Sequence, residues 1–125
     1  MRVSREEAKK MAADGVILQV SKDTTLMGIV GNLYYYGFID NEDSFNKLLE
    51  TASDTTPGKE EVIKVGNNTI DTQTSYYLNY NMTDKEIADT LLNKGKFEEN
   101  FSRYSYLFMP GGSSKWNLVH EYSTR

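Results

Sequence analysis

The chain has 125 residues and no cysteine, and it carries a net charge of -4 with a pI near 5.0. This length allows one domain, or one and a half, but not a substrate domain beside a cofactor domain. The acidic balance argues against a nucleic-acid partner, because nonspecific nucleic-acid binding depends on clustered Lys and Arg. The absence of cysteine excludes disulfides, cysteine-ligated zinc and thiol nucleophiles.

Hydropathy gives no sign of a membrane segment. No apolar run approaches the roughly 18 to 20 residues that a membrane span needs. The N-terminus, MRVSREEAKK, begins as a charged helix and lacks the apolar region of a signal peptide. We therefore expect no membrane segment in this sequence.

Four segments combine a polar N-cap with a short amphipathic run, which is typical of helices. Capping boxes are predicted at Ser4 with Glu7 and at Thr83 with Glu86, and Asn41 is predicted to cap the third helix. All except the third are expected to stop at a glycine. The predicted helices cover residues 4–15, 23–37, 42–52 and 83–95.

Runs of β-forming residues lie between and after these helices. VILQV at residues 16–20 predicts a buried strand. Residues 62–65, the turn GNNT at 66–69 and a strand within 74–80 predict either a hairpin or two successive strands. Residues 53–60 are expected to form a loop.

The C-terminal region alternates aromatic and other residues before and after the turn sequence MPGGSSK. This alternation predicts a β-hairpin with one aromatic face. The order α, β, α, α, β, β, α, β, β then indicates an α+β fold with helices and sheet in two layers. The alternating residues are Tyr104, Tyr106, Phe108, Trp116, Leu118, His120 and Tyr122.

Catalytic and metal-binding patterns are missing. His120 is the only histidine, so no His-based triad or His-pair metal site can form. The acidic cluster Asp40, Glu42 and Asp43 lacks the spacing of a calcium loop and matches the acidic first turn of a helix. The carboxylate pairs, such as Glu6 with Glu7, are adjacent in polar sequence. A hydrolase would need two acids from different segments to meet across a cleft. We therefore predict no catalytic residue, metal or cofactor.

Nine tyrosines and one tryptophan could serve sugar stacking, a protein interface or the core. In the triplet at residues 34–36, helical geometry puts Tyr34 and Tyr36 at the borders of the inner face and directs Tyr35 away from it. The candidates for the core are Phe38, Phe45, Tyr106 and Phe108. The candidates for an interaction surface are Tyr35, Tyr77 and Trp116.

Two stretches carry a family resemblance: ILQVSKDTTLMGIVGNLYYYGFIDNEDSF and, after a loop, YYLNYNMTDKEIADTLL. Their hydrophobic spacing and helix caps resemble the LysM-like N-terminal module of the YceG/MltG-type endolytic murein transglycosylases. The leading VSREEAKKMAADGVI resembles the short helix ahead of such modules in some non-catalytic relatives from Gram-positive bacteria. The resemblance covers about two thirds of the chain or more.

The sequence departs from this family in three places. Asp23 replaces the usual loop glycine, and residues 60–73 look like an inserted hairpin. FMPGG at residues 108–112 occupies the position where the family's catalytic domain would begin, and the chain ends soon after it. The resemblance therefore implies a small LysM-like βααβ core in residues 1–100, a C-terminal hairpin in 101–125, and no enzyme activity.

LysM-type modules bind N-acetylglucosamine polymers between the first strand-to-helix loop and the loop after the second helix. The resemblance thus implies glycan binding by one loop at residues 21–25 and another at residues 53–56, although helix capping and ordinary loop polarity also explain these residues. The implied binding residues are Ser21, Asp23, Thr24, Thr25, Ser53, Asp54, Thr55 and Thr56.

The expected function is a non-catalytic module that associates with peptidoglycan or a chitin-like oligosaccharide. Its expected location is the extracytoplasmic face of a bacterial cell envelope if an anchor has been removed, and the cytoplasm otherwise. The alternative is a protein-interaction or self-assembly module without glycan binding, with a homodimer through the C-terminal hairpin.

Overall fold

The structure, a computed structural model, describes residues 4–11, 15–56, 61–97 and 108–110. It is mixed α and β, which confirms the predicted α+β class. In chain order the elements are α1 (Arg5–Met11), β1 (Val16–Val20), α2 (Leu26–Tyr35), α3 (Glu42–Thr51), β2 (Val62–Val65), β3 (Asn68–Asp71), β4 (Thr74–Leu78), α4 (Asp84–Asn93), β5 (Lys96–Phe97) and β6 (Phe108–Pro110).

The helices begin where their polar caps predict. The side chains of Thr25, Asn41 and Thr83 each accept a hydrogen bond from a backbone N–H three residues further on. Thr83 and Glu86 form the predicted capping box. Such caps satisfy N–H groups that have no partner within the helix, so these starts are encoded locally in the sequence.

The main sheet has four antiparallel strands in the order β5-β4-β1-β6. In its central pair, Val16 lies opposite Leu78 and Val20 lies opposite Thr74. Strand alternation directs Val16, Leu18 and Val20 to the buried side, together with their partners on β4. The same buried cluster includes residues of α2, α3 and α4.

A second, two-stranded sheet pairs β2 with β3. The prediction of only two strands between α3 and α4 is therefore wrong, since three are present. The hairpin expected at residues 60–73 is present as β2 and β3. The turn is Gly66 and Asn67 alone, with φ of 62° at Gly66, as a type II′ hairpin turn requires at its first central position.

Asn68 explains why the predicted turn at 66–69 is too long. Its buried side-chain amide donates to the backbone carbonyls of Leu49 and Ala52, at 2.6 and 2.8 Å. Those carbonyls lie at the end of α3, where helical carbonyl groups lack partners within the helix. Asn68 is therefore held in β3 by a tertiary contact that local propensity cannot predict.

The region after α4 also differs from the prediction. The helix ends at Asn93, and Gly95 is followed by a short strand, β5, which the sequence analysis did not predict. A side chain at Gly95 would collide with those of Thr74 and Tyr76. Met109 and Pro110, predicted to begin a turn, belong to β6. The rest of the predicted C-terminal hairpin lies outside the described residues.

The turn after α2 connects the core to α1. Phe38 and Phe45 are buried as predicted, but Tyr36 is buried as well, rather than lying at the border of the helix. Phe38 stacks on Tyr80, whose hydroxyl donates to the Tyr36 carbonyl at 2.7 Å. Burial raises the pKa of Tyr80. Arg5 of α1 donates to the carbonyls of Gly37 and Phe38, and this fastens α1 to the turn.

Candidate functional site

The first predicted glycan loop, residues 21–25, is a tight turn between β1 and α2. The Thr24 hydroxyl oxygen accepts the Ser21 N–H at 3.0 Å and lies 3.0 Å from the Ser21 hydroxyl. Thr25 caps α2 by accepting the Gly28 N–H at 3.0 Å. Asp23 is exposed at the tip. The capping role therefore falls to Thr25, while Asp23 presents a carboxylate to solvent.

The second predicted loop, residues 53–56, directs its carboxylate inward. Asp54 is partly buried, and one of its oxygens accepts both the backbone N–H and the hydroxyl of Thr69, at 2.9 and 3.1 Å. Its other oxygen accepts the Thr56 N–H at 3.2 Å. Asp54 thus fastens the loop to β3.

The same loop is also fastened to the end of α4. Thr55 donates its N–H and its hydroxyl to the side-chain oxygen of Asn93, at 2.7 and 2.9 Å. The Asn93 amide donates to the Ser53 carbonyl at 2.8 Å, and the Thr56 hydroxyl donates to the Leu92 carbonyl at 3.1 Å. Of the four predicted residues of this loop, Asp54, Thr55 and Thr56 therefore use their side chains in hydrogen bonds within the fold. Ser53 takes part only through its backbone carbonyl.

Both loops are attached to the β2–β3 hairpin. The first is attached through an exposed ion pair of Lys22 with Glu61 at 3.5 Å, and the second through Asp54 and Thr69. Thr69 pairs with Lys64, three residues along from Glu61. At about 3.3 Å per strand residue, the two attachment points lie roughly 10 Å apart. The first loop thus has an exposed, weak contact beside the hairpin, and the second has a partly buried contact within it.

The predicted aromatic surface residues lie on different elements. Tyr35, near the end of α2, is 39% exposed, and its ring meets that of Tyr36 edge-on. Tyr77, on β4, is 51% exposed and lies on the opposite side of the sheet from Tyr76. Trp116 lies outside the described residues. No shared aromatic platform follows from these positions.

The structure has a groove between α2 and the start of α3 that the sequence analysis did not predict. It has a volume of about 710 Å³. We call it the α2–α3 groove and define it by its lining residues: Leu26, Met27, Val30, Tyr34, Asp40, Asn41, Glu42, Asp43 and Asn46. The acidic cluster noted in the sequence thus forms one side of a groove. The sequence feature that could have indicated this groove is Met27, an apolar residue that lies outside the inner face of α2.

The titratable groups in the described part of the chain were compared for clustering and for shifted pKa values. No three His, Asp or Glu side chains there are grouped so that they could hold a metal ion. The pKa of Tyr76 is raised by burial, and the pKa of Asp89 is lowered mainly by a hydrogen bond from the Asn93 side chain. Both side chains also hold the fold together: the Tyr76 hydroxyl donates to the Asp71 carbonyl, and Asp89 accepts a hydrogen bond from the Asn93 amide.

No helix within the described ranges is long and apolar enough to cross a membrane. Comparison with known proteins gives no relatives: no family model, no curated protein and no solved structure matches the chain.

Proposed function

We propose that this chain is a non-catalytic module that associates with N-acetylglucosamine-containing glycan, such as peptidoglycan or a chitin-like oligosaccharide. Its proposed location is the extracytoplasmic face of a bacterial cell envelope. The proposal begins from the sequence resemblance to LysM-like modules, and one observation about the fold supports it.

That observation is the path of the chain from β1 to β4. Two helices, α2 and α3, lie between two strands that pair antiparallel over five residues each. This is the βααβ order that a LysM-like core would have, with β2 and β3 as an inserted hairpin. The arrangement supports the family resemblance, and it includes a strand-to-helix loop that contacts Glu61 and a post-helix loop that contacts Thr69.

The first loop supplies the chemistry for glycan binding in this proposal. Asp23 is exposed, and an ionised carboxylate accepts hydrogen bonds from sugar hydroxyls. The oxygen of Thr25 accepts a backbone N–H, and its hydroxyl hydrogen can still be donated to a sugar. Ser53 adds an exposed hydroxyl from the second loop. Asp54, Thr55 and Thr56 act in this proposal by fixing the shape of the second loop.

Co-sedimentation with purified peptidoglycan tests this proposal. We expect the chain to sediment with the insoluble glycan and to be released by soluble chitin oligomers. Asp23→Ala should weaken retention, whereas Asp84→Ala, which removes the same charge at the start of α4, should not. If the unaltered chain stays in the supernatant, or if both variants behave alike, the glycan proposal is wrong.

A protein-interaction module is the second candidate. Three large apolar or aromatic side chains in the described part of the chain are exposed: Met27 at 82%, Tyr77 at 51% and Tyr35 at 39%. Exposed apolar side chains of this size are candidate contact sites. Self-assembly through the C-terminal hairpin would give a dimer in light scattering, and a monomer at high concentration would contradict it.

A further inference from the structure

We propose that the α2–α3 groove binds a basic amphipathic helical segment of a partner protein. This inference concerns a different surface from the glycan loops and does not depend on glycan binding. It rests on three features of the groove: its apolar floor, its acidic side and the helical character of its walls.

The floor of the groove runs along α2. Leu26, Met27, Val30 and Tyr34 line it, and the first and last of them are eight residue steps apart along the helix. At 1.5 Å per residue, the floor is about 12 Å long, which matches roughly two turns of an approaching helix. Met27 is 82% exposed, and flexible methionine side chains suit surfaces that accept helical peptides. The floor therefore offers apolar surface of the right length.

The opposite side is acidic. Glu42 and Asp43 are exposed in the first turn of α3, and Asp40 lines the groove beside them. Among the described residues that line the groove, none is basic. Complementary charge attracts and orients a partner, so Lys and Arg on the occupant fit this side. An anionic surface, including an acidic lipid headgroup, would be repelled.

The walls determine the backbone conformation of the occupant. Both walls are helices, and the caps of α2 and α3 satisfy part of their first-turn N–H groups, so neither wall offers a strand edge for β-augmentation. A segment that covers the apolar floor must therefore satisfy its own backbone, and a helix does so.

The test uses a synthetic peptide probe of about four helical turns, with Leu on one face and Lys on the other. Binding to the full chain is measured by fluorescence anisotropy, and its position by backbone amide NMR shifts. Two matched peptides serve as controls: one with Glu in place of every Lys, and one with two central prolines that prevent a helix. We expect only the Lys peptide to bind, with shifts concentrated at residues 26–34 and 40–46.

Variants of the chain separate charge from apolar contact. Glu42→Gln combined with Asp43→Asn should raise the Kd about fivefold and weaken its dependence on salt. Met27→Gln should raise the Kd about tenfold. Glu6→Gln combined with Asp84→Asn removes two equivalent first-turn charges from α1 and α4 and should leave the Kd unchanged.

The outcomes distinguish this inference from its rivals. Absence of binding at millimolar peptide, equal binding of the Glu or proline peptide, or shifts confined to residues 21–25 and 53–56 would each overturn it. Concentration-dependent shifts at the groove without peptide would show that a second copy is the occupant, and would also overturn it. Failure of peptidoglycan binding leaves this result unaffected, because the two experiments report on different residues.

Discussion

The two loops predicted to contact glycan contain the same residue types but have different tasks in the fold. In residues 21–25, the bonds run within the turn and to the start of α2, and Asp23 remains at the surface. In residues 53–56, Asp54 and Thr55 bond to β3 and α4. Ser, Thr and Asp suit both sugar binding and loop fastening, so composition alone does not distinguish a binding loop from a structural one.

The largest expected effect on stability comes from Asp54→Ala. The change leaves the partly buried N–H and hydroxyl of Thr69 without their carboxylate, and hydrogen bonds to charged groups contribute about 1.5–3 kcal/mol. We expect a loss of about 2–3 kcal/mol in the free energy of unfolding, measured by urea denaturation. Asp23→Ala is the matched control, and equal losses for the two variants would erase the distinction between the loops.

Asn93→Ala should have the next largest effect. It removes the side chain that receives two bonds from Thr55 and donates one to the Ser53 carbonyl. Because these groups are exposed and can be hydrated by water, the expected loss is about 1–2 kcal/mol. Asn81→Ala, on the exposed turn before α4, should cost far less in the same urea titration. A loss at Asn93 no larger than at Asn81 would show that the loop is not held by α4.

Thr25→Ala tests the first loop as a helix cap. Loss of the bond from the Gly28 N–H should cost about 1 kcal/mol. Thr25→Ser keeps the cap oxygen and should restore most of that stability. Thermal unfolding followed by circular dichroism measures both variants. If Ala and Ser at this position are equally stable, Thr25 is not acting as a cap.

A smaller effect is expected from pH at Asp89. Its folded-state pKa is lowered below 3.8, first by the hydrogen bond from Asn93 and then by Lys94, which lies 3.3 Å away. A lowered pKa contributes stability above the unfolded-state value, and this contribution disappears as the pH falls through the folded-state value. Asp89→Asn should therefore flatten the acid limb of a stability–pH profile without adding stability at low pH. An unchanged acid limb would contradict the bracing role.

The smallest expected effect on stability is that of Met27→Gln. Met27 is 82% exposed, so a polar side chain of similar size should change the free energy of unfolding by less than about 0.5 kcal/mol. The same variant should bind the Lys peptide more weakly. This combination of unchanged stability and weaker binding would distinguish the α2–α3 groove from both loops. A large loss of stability, measured by urea denaturation, would mean that Met27 packs into the core.

Local signals predicted the helices of this fold well. Asn41 and Thr83 were identified as caps from the sequence alone, and Thr25 was one of three candidates for the cap of α2. Each cap lies within one helical turn of the group that it satisfies. Phe45 was predicted as a core residue from helical spacing and Phe38 from its position after the glycine that ends α2, and both are buried. Information that is local in sequence was sufficient for these features.

Features that depend on distant contacts could not be predicted. Asparagine is typical of turns, so the sequence predicted Asn68 within the turn. Its place in a strand is explained by the hydrogen bonds that its side chain donates to the carbonyls at the end of α3. The inward direction of Asp54 likewise depends on Thr69, fifteen residues away. The α2–α3 groove requires the crossing of two helices, although both helices were predicted correctly. Register and helix crossing are set by packing rather than by local pattern.

A backbone amide NMR titration of the chain with a chitin oligomer tests the proposed function most directly. The account predicts saturable shifts at Ser21 to Thr25 and at Ser53, with little change along the α2–α3 groove, and loss of those shifts in Asp23→Ala. A cellulose oligomer of the same length, which lacks the N-acetyl groups, should produce smaller shifts. No shift at millimolar chitin oligomer, or shifts confined to residues outside both loops, would contradict the proposal that this module binds glycan.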